Sequence, residues 1–418
     1  MITNKEDDCL SENVNDVSGN SIELKDVYDV FDRWLYLPDK KIIDILLAAA
    51  LTREVRCGDH IFLFVVGASG DGKSELIRSF EDLVSVGKAM KLDQLTTKSI
   101  ASGKKGARDI GSQINGKDIL FLIPDLANLS SMNKDFKREI WAQFRTLYDG
   151  YCYKATGEDT TKKYDNINLT IIAGTTPIIY DEYIIHSQLG TRELLFKTDC
   201  NNRKEKSIRA RDNKKSKSKM RSQLKNIVYR FLASKSFDMS INIPEEIRRF
   251  ITYETEKLSI LRATAQTDSR YYELINIVYP ETPTRASIQF ELLYQACKSL
   301  DKDYPDIRFK ELIKHIVNSS GSQVRQDILN VFVNNPFEKY SIFELRNLLR
   351  LGRDCIKREL EILWNMKVLD KTHETEFIGR QEVVDDSGDI KYQKAGRIQN
   401  IDKYQFNEKS DNPLKGLN

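Results

Sequence analysis

The residues GASGDGKS, 67 to 74, match the spacing G-x-x-x-x-G-K-[ST] at every defined position. Each residue type has a chemical reason. Gly67 and Gly72 let backbone N–H groups turn inward around a β-phosphate, Lys73 offers a mobile positive charge to the β and γ oxygens, and Ser74 supplies a hydroxyl ligand for Mg²⁺. Ala68, Ser69, Gly70 and Asp71, with Glu75 just beyond, complete the stretch expected to cradle a nucleotide. An apolar run, IFLFVV at 61–66, precedes it. After it, ELIRSFEDLVSV carries Leu76, Ile77, Phe80, Leu83 and Val84 at helical spacing, so the loop lies between a buried strand and an amphipathic helix. The ligand this implies is Mg²⁺·ATP.

Three further groups could act on that ligand. ILFLIPDL ends a second apolar run with Asp125, a carboxylate able to hold the metal's water shell. The Glu that commonly follows such an Asp, to polarise an attacking water, is replaced by Leu126. Glu75, Glu139 and Asp149 are the candidate substitutes, and the sequence does not choose among them. LTIIAGTT ends a third run with Thr175 and Thr176, polar groups at the height of a γ-phosphate.

The elements that must position these groups are legible in outline. Runs at 61–66, 119–125 and 169–176 are apolar nearly throughout, as strands covered on both faces are. With AMKLDQL (89–95), ELLFKT (193–198) and helical stretches between, they predict a parallel α/β sheet. VYDVFDRWLYL and KKIIDILLAAAL predict two helices ahead of it. After residue 222 the pattern is mostly helical, and a smaller unit begins near Val324. The expected boundaries are a flexible tail at 1–22, an ATPase core at 23–200, a basic linker at 201–222, a helical lid at 223–320 and a C-terminal unit at 321–410.

Composition narrows the setting. No apolar stretch of the 418-residue chain reaches the ~20 residues that cross a bilayer, and the acidic, polar N-terminus does not read as a secretory signal. The six cysteines are scattered without a C-x-x-C pair, which argues against a disulfide framework or zinc site and for a reducing compartment. The expectation is a cytoplasmic protein without a membrane partner. Net charge is only +3, yet Arg203 to Arg221 holds ten Lys or Arg against two acids. That run is either a solvated loop or a contact to nucleic acid or phosphate.

Taken in order, GASGDGKS, LIPDL, AGTTP and LGTREL resemble the AAA+ ATPases. The wider string KREIWAQFRTLYDGYCYKATG…LTIIAGTTPII…LGTREL is similar to ATPases encoded by phages, plasmids and other mobile elements of bacteria and archaea. The likeness covers about residues 40 to 300 and implies a P-loop NTPase fold with a helical lid. It gives Thr176 the sensor 1 role and makes Arg192 an arginine finger, reaching a neighbour's nucleotide in a homo-oligomeric ring, a hexamer among the sizes open to it. Arg285 matches a sensor 2 arginine, its alternative being a helix-surface charge. YCYKATGEDTTKKYDNIN, just ahead of sensor 1, reads as a β-hairpin, which superfamily 3 viral helicases and minichromosome maintenance helicases carry into a central channel. Lys154, Lys162 and Lys163 would then meet a DNA backbone, with Tyr153 or Tyr164 stacking on bases. The alternative is a hairpin that only covers the sheet edge.

The C-terminal unit reads as a winged helix. VRQDILNVFVNN and SIFELRNLLRLGRDCIKRELEILWNMKVLDK give three helical patterns, the last with Ile356, Leu360, Leu363 and Trp364 on one face, and ETEFIGRQEVV with RIQNIDKYQFN could pair as the wing. Arg353, Lys357 and Arg358 lie near the N-terminal half of the third helix, the end that enters a major groove in this fold, although winged helices also dock proteins. The reading is an oligomeric AAA+ ATPase with ATP and Mg²⁺ as cofactors and DNA as partner, a replication helicase or DNA-remodelling motor of a mobile element. An ATP-gated DNA-binding regulator or loader with little hydrolysis is the alternative.

Overall fold

A computed structural model describes residues 22–56, 58–94, 96, 98–102, 109–126, 129, 132–155, 161–180, 192–199, 201–265, 280–378, 382–384, 390–392, 397–407 and 414. Residues 1–21, residues 156–160 of YCYKATGEDTTKKYDNIN, most of SQLGTREL and residues 379–381, 385–389 and 393–396 lie outside them. Helix α1 (Leu24–Trp34) buries Leu24, Val27, Phe31 and Trp34, one helical stripe. Helix α2 (Lys41–Thr52) is buried on every side from Ile42 to Thr52.

The core then alternates: β1 (Phe62–Val66), α3 (Lys73–Arg78), α4 (Asp82–Ser85), β2 (Ala89–Lys91), α5 (Ile110–Ile114), β3 (Asp118–Ile123), α6 (Lys134–Tyr148), β4 (Cys152–Ala155), β5 (Thr161–Tyr164), β6 (Asn168–Thr175) and β7 (Glu193–Lys197). Five strands form one sheet in the order β2-β3-β6-β1-β7, every pairing parallel. This is the arrangement of a P-loop-like α/β fold. Successive residues of β1 serve opposite faces: Leu63 and Val65 pack with α2, whereas Phe62 and Phe64 pack with Phe144 and Trp141 of α6. ELIRSFEDLVSV does not form one helix. It breaks between α3 and α4, where the Ser79 hydroxyl takes the Leu76 carbonyl at 2.6 Å, competing with the helical ladder.

The basic run is helical. It forms α7 (Arg203–Asp212) and opens α8 (Lys217–Ala233). Helices α9 (Glu245–Arg262), α10 (Thr284–Leu300) and α11 (Asp306–Ser319) follow. Then come α12 (Gln323–Asn334), β8 (Tyr340–Ser341), α13 (Ile342–Leu349), α14 (Arg353–Asn365), β9 (Leu369–Ile378), β10 (Glu382–Val384), β11 (Ile390–Tyr392) and β12 (Arg397–Phe406), with β8, β12 and β9 in one antiparallel sheet. Apolar packing continues from α11 through Ile328, Leu329 and Phe332 to Ile356, Leu360 and Leu363. Trp364 departs from its expected place. It is 42 % exposed with Lys371 over its ring, because the buried stripe of α14 turns to Ile362 instead. A buried ion pair, Arg325–Glu359 at 2.8 Å, joins α12 to α14, and Arg325 also donates to the carbonyls of Ile260 and Ala263 at the end of α9. Among the described residues, no helix is long and apolar enough to cross a membrane.

Candidate functional site

The loop between β1 and α3 is shaped by its glycines. Gly70 and Gly72 adopt φ +80° and +84°, a backbone region that side chains disfavour. Gly72 forms the N-cap of α3, so the amides opening that helix face the loop. Lys73 is buried, its Nζ donating at 2.7 Å to the carbonyls of both Gly67 and Ala68. Parallel register brings the other groups to the same end. Ile123 pairs with Ala173, so Asp125, two residues on, comes level with Thr175, and Thr175 pairs with Val66 directly before the loop. The Ser74 hydroxyl lies 3.3 Å from the Pro124 carbonyl, and the Gly67 amide donates to the Thr175 carbonyl at 3.1 Å. Loop, Asp125 and the Thr175–Thr176 turn therefore share one end of the sheet.

A cavity of about 420 Å³ opens beside the loop, lined by neither Asp125 nor Thr176. Gly70 to Leu76 line it on one side, Trp34 to Leu37 on another and Lys206, Arg209, Asn213, Lys214 and Lys217 on a third. Hard oxygen donors in Ser74 and Asp125 suit Mg²⁺, and cations beside turned-in amides suit a polyphosphate. The residues present thus fit Mg²⁺·ATP. None of the three substitute acids is placed as a ready base beside this cavity. Glu75 is held by Arg221 at 2.5 and 2.8 Å, with Arg78 and Lys217 nearby. Burial would raise its pKa, but these cations outweigh that and bring it below the usual range. Glu139 is 3.5 Å from Lys154, and Asp149 lies at the far end of the sheet.

At that far end Arg192 precedes β7, whose first residue pairs with Phe62. About 20 Å of strand separates its level from that of Gly67. Arg192 pairs with Asp149 at 3.0 Å and lies 5.6 Å from the centre of the Tyr148 ring. The structure places Arg285 here too, 5.8 Å from the same ring and 3.1 Å from Glu281, away from the loop of its own protomer. Gln289 fixes the strand ends by donating to the carbonyls of His60 and Arg192 at 3.0 and 2.9 Å. Burial, then repulsion from Arg285, lowers the Arg192 pKa.

The hairpin β4–β5 pairs Tyr153 with Lys163 and Lys154 with Lys162. Its residues divide into anchors and an exposed face. Lys162 and Tyr164, both expected to reach DNA, instead bind Asp109 at 2.7 Å, and the Tyr164 ring packs against Gly111. Burial would raise the Asp109 carboxyl, but Lys162, the Ser102 and Ser112 amides and Tyr164 hold it at about 2. Tyr153 is 55 % exposed, with Tyr151 5.1 Å away and the exposed Lys163 over its ring at 6.0 Å. Tyr151 was not among the expected residues, though YCYK places two aromatics on one strand face at i and i+2. On α14, Arg353 is exposed and Lys357 half-buried, while Arg358 lies 3.2 Å from Glu359.

No protein-family model matches the chain, and no curated protein matches it. Matching solved structures include the crystal structure of a full-length MCM homologue from Methanopyrus kandleri, at 14% identity and a TM-score of 0.41. The match covers 74% of this chain and 64% of that one, so the chain spans less than two thirds of that neighbour. A likeness of that size carries no functional inference.

Proposed function

We propose that the chain is an AAA+ type ATPase that works as a homo-oligomer on DNA, coupling ATP hydrolysis to remodelling or unwinding. The observation that carries this reading is the meeting of Ser74 with the Pro124–Asp125 strand end, 3.3 Å apart, beside a cavity of about 420 Å³. Lys73 and the loop amides would take the β and γ phosphates, Ser74 and Asp125 the metal, Thr176 the γ-phosphate edge, and Trp34 to Leu37 the base. Bound Mg²⁺ would supply charge neutralisation at the phosphates.

Arg192 and Arg285 support the oligomer. Both lie at the end of the sheet opposite the loop, so neither meets a nucleotide of its own protomer, and a neighbour's nucleotide packed against that end would compete with Asp149 and Glu281 for them. Tyr151, Tyr153 and Lys163 form an exposed platform suited to stacking bases. The order α12, β8, α13, α14, β9, β12 supports a winged helix, with Arg353, Lys357 and Arg358 on the helix that would enter a groove. Replication of a mobile element is the setting that the sequence resemblance adds.

One observation favours a second reading, an ATP-gated DNA-binding switch. Leu126 is buried where a catalytic Glu would stand, and Glu75 and Glu139 are each held by cations. ATPase assays with and without single-stranded and duplex DNA separate the two. Turnover stimulated by DNA and abolished in both Lys73→Ala and Arg192→Ala supports the motor. Tight Mg²⁺·ATP binding with negligible hydrolysis in every condition leaves the switch.

A further inference from the structure

Asp71 is out of place chemically, since a carboxylate inside a loop meant for polyphosphate repels the ligand unless a cation answers it. The answer comes from 135 residues away. Lys206 Nζ lies 2.6 Å from Asp71 Oδ1 and also donates to the Asp199 carbonyl, while the Thr198 hydroxyl donates to the other Asp71 oxygen. The helix that delivers Lys206, α7, has no buried residue, so no apolar face holds it to the core. Polar contacts do. Besides Lys206, Arg209 donates to the Arg33 carbonyl at 3.1 Å and Asn213, just past the helix, to the Trp34 carbonyl at 2.7 Å. Residues 206, 209, 210 and 213 form one stripe, and all four line the phosphate-loop cavity.

We propose that α7 is a lid that closes on the phosphates of a nucleotide in this cavity, with Lys206 binding the phosphate directly and Asp71 serving as the latch that holds it ready. The proposal deepens the nucleotide-site reading and rests on it. An ammonium has three N–H donors, and the two used for Asp71 and Asp199 leave the third for a phosphate oxygen without breaking the latch. A helix held by a few polar contacts docks weakly on its own, so bound phosphate stabilises the closed position and closure in turn tightens binding.

Titration calorimetry of the full chain with Mg²⁺·ATP, together with trypsin cleavage at the basic residues of α7, tests this. Lys206→Ala should weaken ATP binding about tenfold or more, with the fold retained by circular dichroism at the assay temperature, and Lys206→Arg should retain most of the affinity. ATP should protect α7 from trypsin in the parent protein and not in Lys206→Ala. In an Asp71→Asn background Lys206→Ala should still cost about tenfold, because the phosphate contact is still lost. Equal affinity of Asp71→Asn and the double variant overturns the proposal, since Lys206 would then only offset the carboxylate. So does parental affinity in Lys206→Ala, which leaves the nucleotide site standing if Lys73→Ala weakens binding about 10²-fold. Failure of the parent protein to bind Mg²⁺·ATP overturns the nucleotide site and the lid together.

Discussion

The two ends of one parallel sheet are built from opposite materials. At the carboxyl end stand short polar groups, turned-in amides and a cavity of about 420 Å³; at the amino end two arginines lie over Tyr148, and one of them, Arg285, lines a hollow of about 10 Å³. The first end can receive a ligand. The second presents charge already answered by Asp149 and Glu281. Under the proposed function the second end acts only when a neighbour's nucleotide competes with those carboxylates for the arginines.

The sharpest way to break the contrast is Arg192→Ala. Turnover should fall about 10³-fold with Mg²⁺·ATP affinity within about twofold of the parent, and mixing with Lys73→Ala protomers should restore part of the activity. A collapse of ATP affinity measured on isolated protomers would put Arg192 at its own protomer's nucleotide. The Tyr148 ring beneath the arginines can be probed by pH. Burial pulls His60, packed on Tyr148, from 6.5 down to about 4, so between those values the unfolded chain binds a proton that the folded chain refuses. Stability from neutral His60 is full above about pH 6.5 and is lost as pH falls towards 4, on the order of 3 kcal/mol in all. Denaturant melts across that window should show the slope, and His60→Gln should flatten it.

Lys73→Ala tests the other end and should weaken Mg²⁺·ATP binding about 10²-fold by calorimetry. The smallest effects concern the hairpin at the amino end. Tyr153→Ala should reduce single-stranded DNA affinity about tenfold in a fluorescence-anisotropy titration. Lys162→Ala should change it far less, because that ammonium already binds Asp109; a larger loss for Lys162 than for Tyr153 would reverse the division into anchors and platform.

Much of the carboxyl end was legible in the sequence, for a physical reason. Parallel strands covered on both faces must be apolar throughout, so IFLFVV, ILFLI and LTIIAG announce themselves, and a phosphate loop needs fixed residue types at fixed spacing because its backbone does the binding. The amino end was legible only as a list of charges. Whether Lys162 and Tyr164 face solvent or Asp109, or whether Arg285 stands by the loop or by Arg192, depends on partners 53, 55 and 93 residues away, and no local period records them. The basic run at 203–221 was ambiguous for the same reason, since its charges mark solvent or a ligand equally well until Asp71 is seen beside Lys206.

The sequence by itself thus determined the sheet, the loop and the identity of the groups able to hold a nucleotide, because burial and backbone geometry act locally and leave periodic or fixed-spacing marks. Which cations face the cavity and which meet internal carboxylates was decided only by tertiary structure. A charge acts through space with whatever the fold sets within a few ångströms of it, and separation along the chain says nothing of that distance.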